Sequence, residues 1–196
     1  IMSSYWSSDV CSSDLDYFPA DIILLHIGTN GMNSMTVNEN LSGVENILEE
    51  VDAYSPDAKV VVARIINQVP YNPTVTLFND ALEDLLATRI ANGDLITMVD
   101  MEFGAGLDYE IGSDMVDSLH PSPSGYEKMA GVWFEALTKG DLSRNAWIGL
   151  EDLIISLQVC TSIITEGANI EADTNNDQRI GIQDAIWILQ KLANLR

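Results

Sequence analysis

The 196-residue sequence predicts an α/β fold built on a parallel sheet, followed by a small all-α domain. Two observations carry this expectation. Short apolar runs at 22–27, 59–66 and 95–101 alternate with longer stretches of helical periodicity, the pattern of parallel βαβ units. After Gly140 the pattern changes, and a polar loop followed by an apolar helix occurs twice.

Residues 1–15 are Ser-rich and show neither helical nor strand period, with Ser7-Ser8-Asp9-Val10-Cys11 nearly echoed by Ser12-Ser13-Asp14-Leu15. They are expected to be a non-native or disordered tail. Its serines make poor nucleophiles, because an activated serine needs a fixed backbone beside its base. The run Ile22-Ile23-Leu24-Leu25-His26-Ile27 reads as a buried strand, and His26 within it as a packed residue.

A helix opens at Thr36, where Glu39 completes a capping box, and Val37, Leu41, Val44, Ile47, Leu48 and Val51 follow at helical spacing. Ser55-Pro56 stops it. Residues 59–66 form a second buried strand. Beyond Pro70 and Pro73 a helix presents Leu77, Phe78, Ala81, Leu82, Leu85, Leu86 and Ile90 on its apolar face and ends near Gly93. Residues 95–101 form the third strand, and the long loop 102–120 is where a site is expected. Ser122-Pro123 opens a helix to about Gly140, with Tyr126, Met129, Val132, Trp133 and Leu137 as its core face.

An apolar fraction of 46% suffices for a real core. Nine basic against thirty acidic residues give a net charge of −21, which disfavours nucleic acid and anionic membrane and favours cations as partners. No run reaches the apolar length of a membrane span, and no signal peptide is visible. Cys11 and Cys160 define neither a disulfide framework nor a metal site. Trp6, Trp133, Trp147 and Trp187 read as core or module-surface residues, and no Gly-rich phosphate loop supports nucleotide binding.

Two motifs suggest chemistry. In Asp117-Ser118-Leu119-His120-Pro121 the carboxylate stands three residues before the imidazole, so it can hold one ring nitrogen while the other faces a cleft. Gly28-Thr29-Asn30 follows the first strand and can aim a side-chain amide into the same crevice, because sites in parallel sheets lie beyond the strand C-termini.

Together these motifs resemble the SGNH (GDSL-like) hydrolases, and within them the carbohydrate esterases that deacetylate plant polysaccharides. The resemblance covers roughly residues 16–137 and implies a three-layer α/β/α, flavodoxin-like fold. It assigns an oxyanion-hole amide to Asn30 and the acid and base of a catalytic triad to Asp117 and His120, with no cofactor for catalysis. Two features depart from the family pattern. Gly31 stands where the family's Gly-x-Asn-Asp block has its second Asp. The Gly-Asp-Ser block that carries the nucleophile and the glycine that completes the oxyanion hole do not occur in this sequence. The expectation is therefore a hydrolase truncated at its N-terminus and inactive as written.

In the second part, Asp141, Ser143, Asn145, Trp147 and Asp152 align without gaps on Asp173, Asn175, Asp177, Arg179 and Asp184. Side-chain oxygens at positions 1, 3, 5 and 12 with a backbone carbonyl at 7 give the ligand spacing of an EF-hand-type calcium loop. Ala146 and Gln178 occupy the position usually held by glycine, so strain is expected in that turn. The duplicated loop-helix unit resembles a dockerin domain of type I. That resemblance implies a cohesin-like protein partner and a secreted or cell-surface location.

The expected domains are the tail at 1–15, the hydrolase part at 16–139 and the calcium-binding part at 140–196. The expected function is a carboxylic ester hydrolase acting on O-acyl esters, such as those of acetylated polysaccharides, anchored by the dockerin-like part. The alternative is a non-catalytic, calcium-dependent docking protein on a degenerate α/β scaffold.

Overall fold

The three apolar runs become strands β1 (Ile22–Leu25), β2 (Lys59–Arg64) and β3 (Ile96–Asp100) of a parallel sheet in the order β1-β2-β3. The structure, a computed structural model, describes residues 20–145, 147–163 and 169–193. The expected tail at 1–15, with Trp6 and Cys11, lies outside the described residues, as does Ala146. The chain divides into two units, the first ending at Val132 and the second starting at Trp133.

In the first unit, helix α1 (Val37–Tyr54) connects β1 to β2, and α2 (Pro73–Asn92) connects β2 to β3. The capping box at the start of α1 is present. Thr36 Oγ1 accepts from Glu39 N at 3.2 Å, and Thr36 N donates to Glu39 Oε2 at 2.7 Å. Asn72 caps α2 by accepting from Thr74 N, Pro73 takes the first helical position, and Gly93 ends the helix in the left-handed region at φ 110°. Helix α3 (Pro123–Thr138) follows the long loop after β3.

The core lies between one sheet face and α1 and α2. Leu25, Val60 and Val62 meet Val44, Leu48 and Val51 of α1 and Phe78, Leu82 and Leu86 of α2, all buried. The opposite sheet face carries the buried residues Val61, Ala63 and Val99. Leu24 on that face is 44% exposed, and among the described residues β1 pairs only with β2.

The predicted strands are longer than the observed ones. β2 stops at Arg64 because the backbone of Ile65 is taken by a side chain: Asn79 Oδ1 accepts from Ile65 N at 2.9 Å, and Asn79 Nδ2 donates to Ile65 O at 2.8 Å. Helix faces also differ from expectation. Leu77 is exposed, since the buried stripe of α2 runs through Val75, Phe78, Asn79, Leu82 and Leu86 and Leu77 falls outside it. Tyr126 is exposed too, because the buried side of α3 is narrow and centred on Gly125 and Met129. A Cβ on Gly125 would meet Asp114 O at 2.3 Å, so the glycine lets the helix start approach the loop backbone.

Two arginines gather the acidic groups of this unit. Arg64 pairs with Asp80, Glu83, Asp100 and Glu102, and Arg89 with Glu45, Asp52 and Asp94.

The second unit contains helices α4 (Leu150–Cys160) and α5 (Ile182–Leu192). Leu142, Ala172 and Ile188 form its buried centre, with Ile148, Leu153, Ile155, Ile180 and Trp187 packed against them. Cys160 is exposed and unpaired as a thiol. Among the described residues no helix is long and apolar enough to cross a membrane.

Candidate functional site

The Asp117–His120 turn is built locally. Asp117 Oδ1 accepts from Leu119 N and from His120 N, both at 2.8 Å, which folds the chain back so that the imidazole meets its own carboxylate. His120 Nδ1 then lies 3.0 Å from Asp117 Oδ1 and 2.9 Å from Oδ2. An ionised carboxylate can only accept, so the proton of the neutral ring sits on Nδ1 and Nε2 keeps its lone pair. The Leu119 amide and then the His120 ring and amide hold the Asp117 carboxyl down to about 2. Both side chains are exposed.

Further contacts fix this turn in the first unit. Val116 N donates to His120 O at 2.8 Å, and Val69 N, in the loop after β2, donates to Ser118 O at 2.9 Å. Asp114, buried just ahead, accepts from Lys128, from Asp108 N at 2.8 Å and from Ser124 Oγ at 2.8 Å. These donors, Lys128 first, hold its carboxyl at about 2.

Asn30 lies in a single 3-10 turn, Thr29–Gly31, directly after β1 and its connecting residues. Gly28, which opens the turn, has φ 127°, and a Cβ there would lie 3.0 Å from the Phe78 ring, so only glycine fits. Asn30 is exposed. The structure thus pairs Asp117 with His120 and ties their turn to the loop after β2, while Asn30 occupies the loop after the neighbouring strand. Both loops leave the C-terminal edge of the sheet.

His26 is packed, as expected, but its Nε2 is buried with no hydrogen-bond partner among the described residues. Burial pushes its imidazole down to about 4, so it is neutral at pH 7.

The polar hub beneath the loops after β2 and β3 was not legible as a motif. The Glu102 carboxylate, with no exposed surface, accepts from Asn67 Nδ2 at 2.9 Å, Asn79 Nδ2 at 2.9 Å, Arg64 Nη2 at 3.3 Å and Thr76 Oγ1. Tyr109 Oη accepts from Asn67 N at 3.0 Å and donates to Glu102 O at 2.9 Å, and burial raises its pKa to about 12. These residues are scattered over some forty positions, and only the fold brings them together.

In the second unit the two repeated loops form matching backbone contacts. Asp152 Oδ2 accepts from Gly149 N and Asp184 Oδ2 from Gly181 N, each at 2.7 Å. Asn145 Oδ1 accepts from Trp147 N at 2.8 Å, as Asp177 Oδ1 does from Arg179 N at 3.0 Å. Asp141, Asp152, Asp173 and Asp184 are buried, whereas Asn145, Asn175 and Asp177 are exposed. Gln178 adopts φ 63°, a left-handed conformation at the position where calcium loops usually carry glycine. The donor set is all oxygen, which suits a hard cation. Among the described residues no three His, Cys, Asp or Glu side chains converge as a metal cluster.

Comparison with known proteins identifies the first part of the chain. A structure of a carbohydrate esterase family 3 from Talaromyces cellulolyticus matches with a TM-score of 0.58 and 20% identity, covering 66% of this chain and 64% of that one. The Clostridium thermocellum family 3 carbohydrate esterase matches with a TM-score of 0.51 and 21% identity, covering 66% and 64%. These likenesses establish a shared α/β parallel-sheet fold. A curated protein of Acetivibrio thermocellus, provisionally named endoglucanase X, is 23% identical over 116 residues, 59% of this chain and 49% of its own length. The chain thus spans about half the length of that relative. The family described as GDSL-like Lipase/Acylhydrolase matches residues 5–133, and this chain belongs to it.

Proposed function

We propose that the protein is a serine-type carboxylic ester hydrolase acting on O-acyl esters, chiefly acetyl esters of polysaccharides. The observation that carries this reading is the Asp117–His120 pair, with Nδ1 held at 2.9 Å and Nε2 left free at the C-terminal edge of a parallel sheet. His120 Nε2 would take the proton of an attacking hydroxyl, and Asp117 would stabilise the imidazolium so formed. Nε2 would then return the proton to the departing alkoxide. Asn30 would donate its amide to the carbonyl oxygen as charge builds there, a contact worth about a hundredfold or more in rate.

No Gly-Asp-Ser triplet occurs in the sequence, and among the described residues no serine is hydrogen-bonded to His120. The chain as given should therefore hydrolyse p-nitrophenyl acetate at close to the uncatalysed rate. A segment from a relative that carries both the Gly-Asp-Ser block and the oxyanion-hole glycine, joined ahead of Ala20, should give hydrolysis that His120→Ala abolishes. A folded chimaera without hydrolysis would sink the esterase reading, and a His120-dependent rate in the unmodified chain would place a nucleophile among its own serines.

The second unit is read as a dockerin-like, calcium-binding docking module. Calcium would be structural, held by Asp173, Asn175, Asp177, Asp184 and the Arg179 carbonyl, and by Asp141, Ser143, Asn145, Asp152 and the Trp147 carbonyl. A cohesin-like protein is the proposed partner. Leu150, Ile154 and Leu157 on α4, and Ile182, Ile186 and Leu189 at the equivalent repeat positions on α5, support this as matched exposed apolar stripes. A secreted or cell-surface location goes with this reading, as the dockerin-like resemblance implies. Calorimetric titration with calcium should give binding that Asp184→Ala weakens at least about tenfold, and no heat in either protein would remove calcium from the account. Calcium binding together with an inactive chimaera would favour a docking protein on a degenerate scaffold.

A further inference from the structure

The loop after β2, tied to the Asp117–His120 turn by a backbone bond, presents an exposed aromatic ring. Tyr71 is 59% exposed, yet its hydroxyl is engaged from below, with Oη lying 2.7 Å from Thr76 Oγ1. Thr76 Oγ1 gives its own proton to Glu102 Oε1, so the tyrosine is the donor of this pair. Asn67 closes the same loop from its inner side. Its Oδ1 accepts from Gln68 N at 2.9 Å and Asn72 N at 2.8 Å, and its Nδ2 reaches Glu102 Oε1 at 2.9 Å. The tyrosine hydroxyl is therefore tied, through Thr76, to a buried carboxylate, while the residue as a whole stays exposed.

The loop is also fastened to the catalytic turn. The Val69 N to Ser118 O bond, 2.9 Å long, lies two residues before Tyr71 on one strand of chain and two residues before His120 on the other. An exposed aromatic fixed in advance binds at low entropic cost. Its negative face attracts weakly positive C–H groups, which a pyranose displays in a row on one side. A chain of net charge −21 disfavours anionic ligands, so the ring that fits is a neutral one. With a two-carbon acyl group at the dyad, a neighbouring loop can touch only the alcohol part of the ester.

We propose that Tyr71 is a binding platform for a neutral sugar ring, positioning the O-acyl ester that the ring carries beside His120. This inference rests on the esterase reading and deepens it by naming a subsite and a specificity-determining residue.

The test uses the full chain with its tyrosine rings isotopically labelled, titrated with xylotetraose and cellotetraose and followed by NMR. The sequence holds two histidines, so the His120 imidazole can be followed in the same samples. We expect saturable shifts of the Tyr71 ring and of His120. Affinity should fall about fivefold or more in Tyr71→Ala and be largely kept in Tyr71→Phe. Shifts at His120 without shifts at Tyr71 overturn the platform and leave the esterase reading intact. Shifts at Tyr71 with none at His120 detach the sugar site from the dyad and overturn the positioning role. N-hexylacetamide, an aliphatic probe, shifting Tyr71 where neither saccharide does would make the ring an alkyl-chain contact and overturn the sugar assignment.

Discussion

Gly31 and Asn40 exclude each other's bulk: a Cβ on Gly31 would sit 1.8 Å from Asn40 Oδ1. Asn40 is fully buried, donates to Thr36 O at 3.1 Å and leaves Oδ1 without a partner. The Asn40 amide thus fills the space that a side chain at residue 31 would need, which accounts for the glycine where the family pattern has Asp. Gly31→Ala should destabilise the protein by about 1–3 kcal/mol. Adding Asn40→Ala should recover most of that loss, and urea midpoints of the two variants check both statements.

Asp117 sets an acid limit on the dyad. Its folded carboxyl titrates near 2, below its ordinary value, so the stabilising contacts are fully present above about pH 4. They are lost as pH falls through about 2. A 13C titration of the Asp117 carboxyl should show that low midpoint, and His120→Ala should move it upward by removing one donor while the Leu119 amide remains.

His26 adds a second loss of stability on acidification, at higher pH. Its folded value of about 4 lies below the ordinary 6.5, so the unfolded chain takes up the proton first. Stability should decline between about pH 6.5 and 4, by up to about 3 kcal/mol, and level off below. His26→Phe should flatten the denaturation midpoint over that window, and an unchanged slope would place the titrating group elsewhere.

Glu102 holds four side chains at once. Glu102→Ala should cost about 3–5 kcal/mol, because Asn67, Asn79 and Thr76 lose a buried acceptor together. Glu102→Gln keeps the shape but turns one oxygen into a donor facing donors, and should recover part of the loss. Chemical denaturation of both variants reads the difference, and a tyrosine NMR signal from Tyr71 should broaden in each.

The periodic parts of this chain were legible and the polar interior was not. Val44, Leu48, Phe78 and Leu82 announce their helices because burial imposes a repeat on neighbouring residues. The Asp117–His120 pair was legible for a related reason, since three residues of spacing close the turn through local backbone bonds. Glu102, Asn67 and Asn79 carry no such spacing, and each meets its partner only after β2, α2 and β3 have assembled. Tyr126 and Leu77 mislead because apolar identity at helical spacing does not say how wide the covered stripe will be. Ile65 misleads in another way: an apolar residue at a strand end gave its backbone to the Asn79 amide rather than to the next strand.

The placement of Arg64 and Arg89 governs how this acidic chain responds to ionic strength. With only nine basic residues, two guanidiniums, each almost fully shielded from solvent, pair with seven carboxylates and offset part of their charge. Dissolved ions weaken the diffuse mutual repulsion among carboxylates more than the contact pairs that the two shielded guanidiniums make. Moderate sodium chloride should therefore raise the melting temperature, a response more often associated with proteins of brine than with ordinary ones.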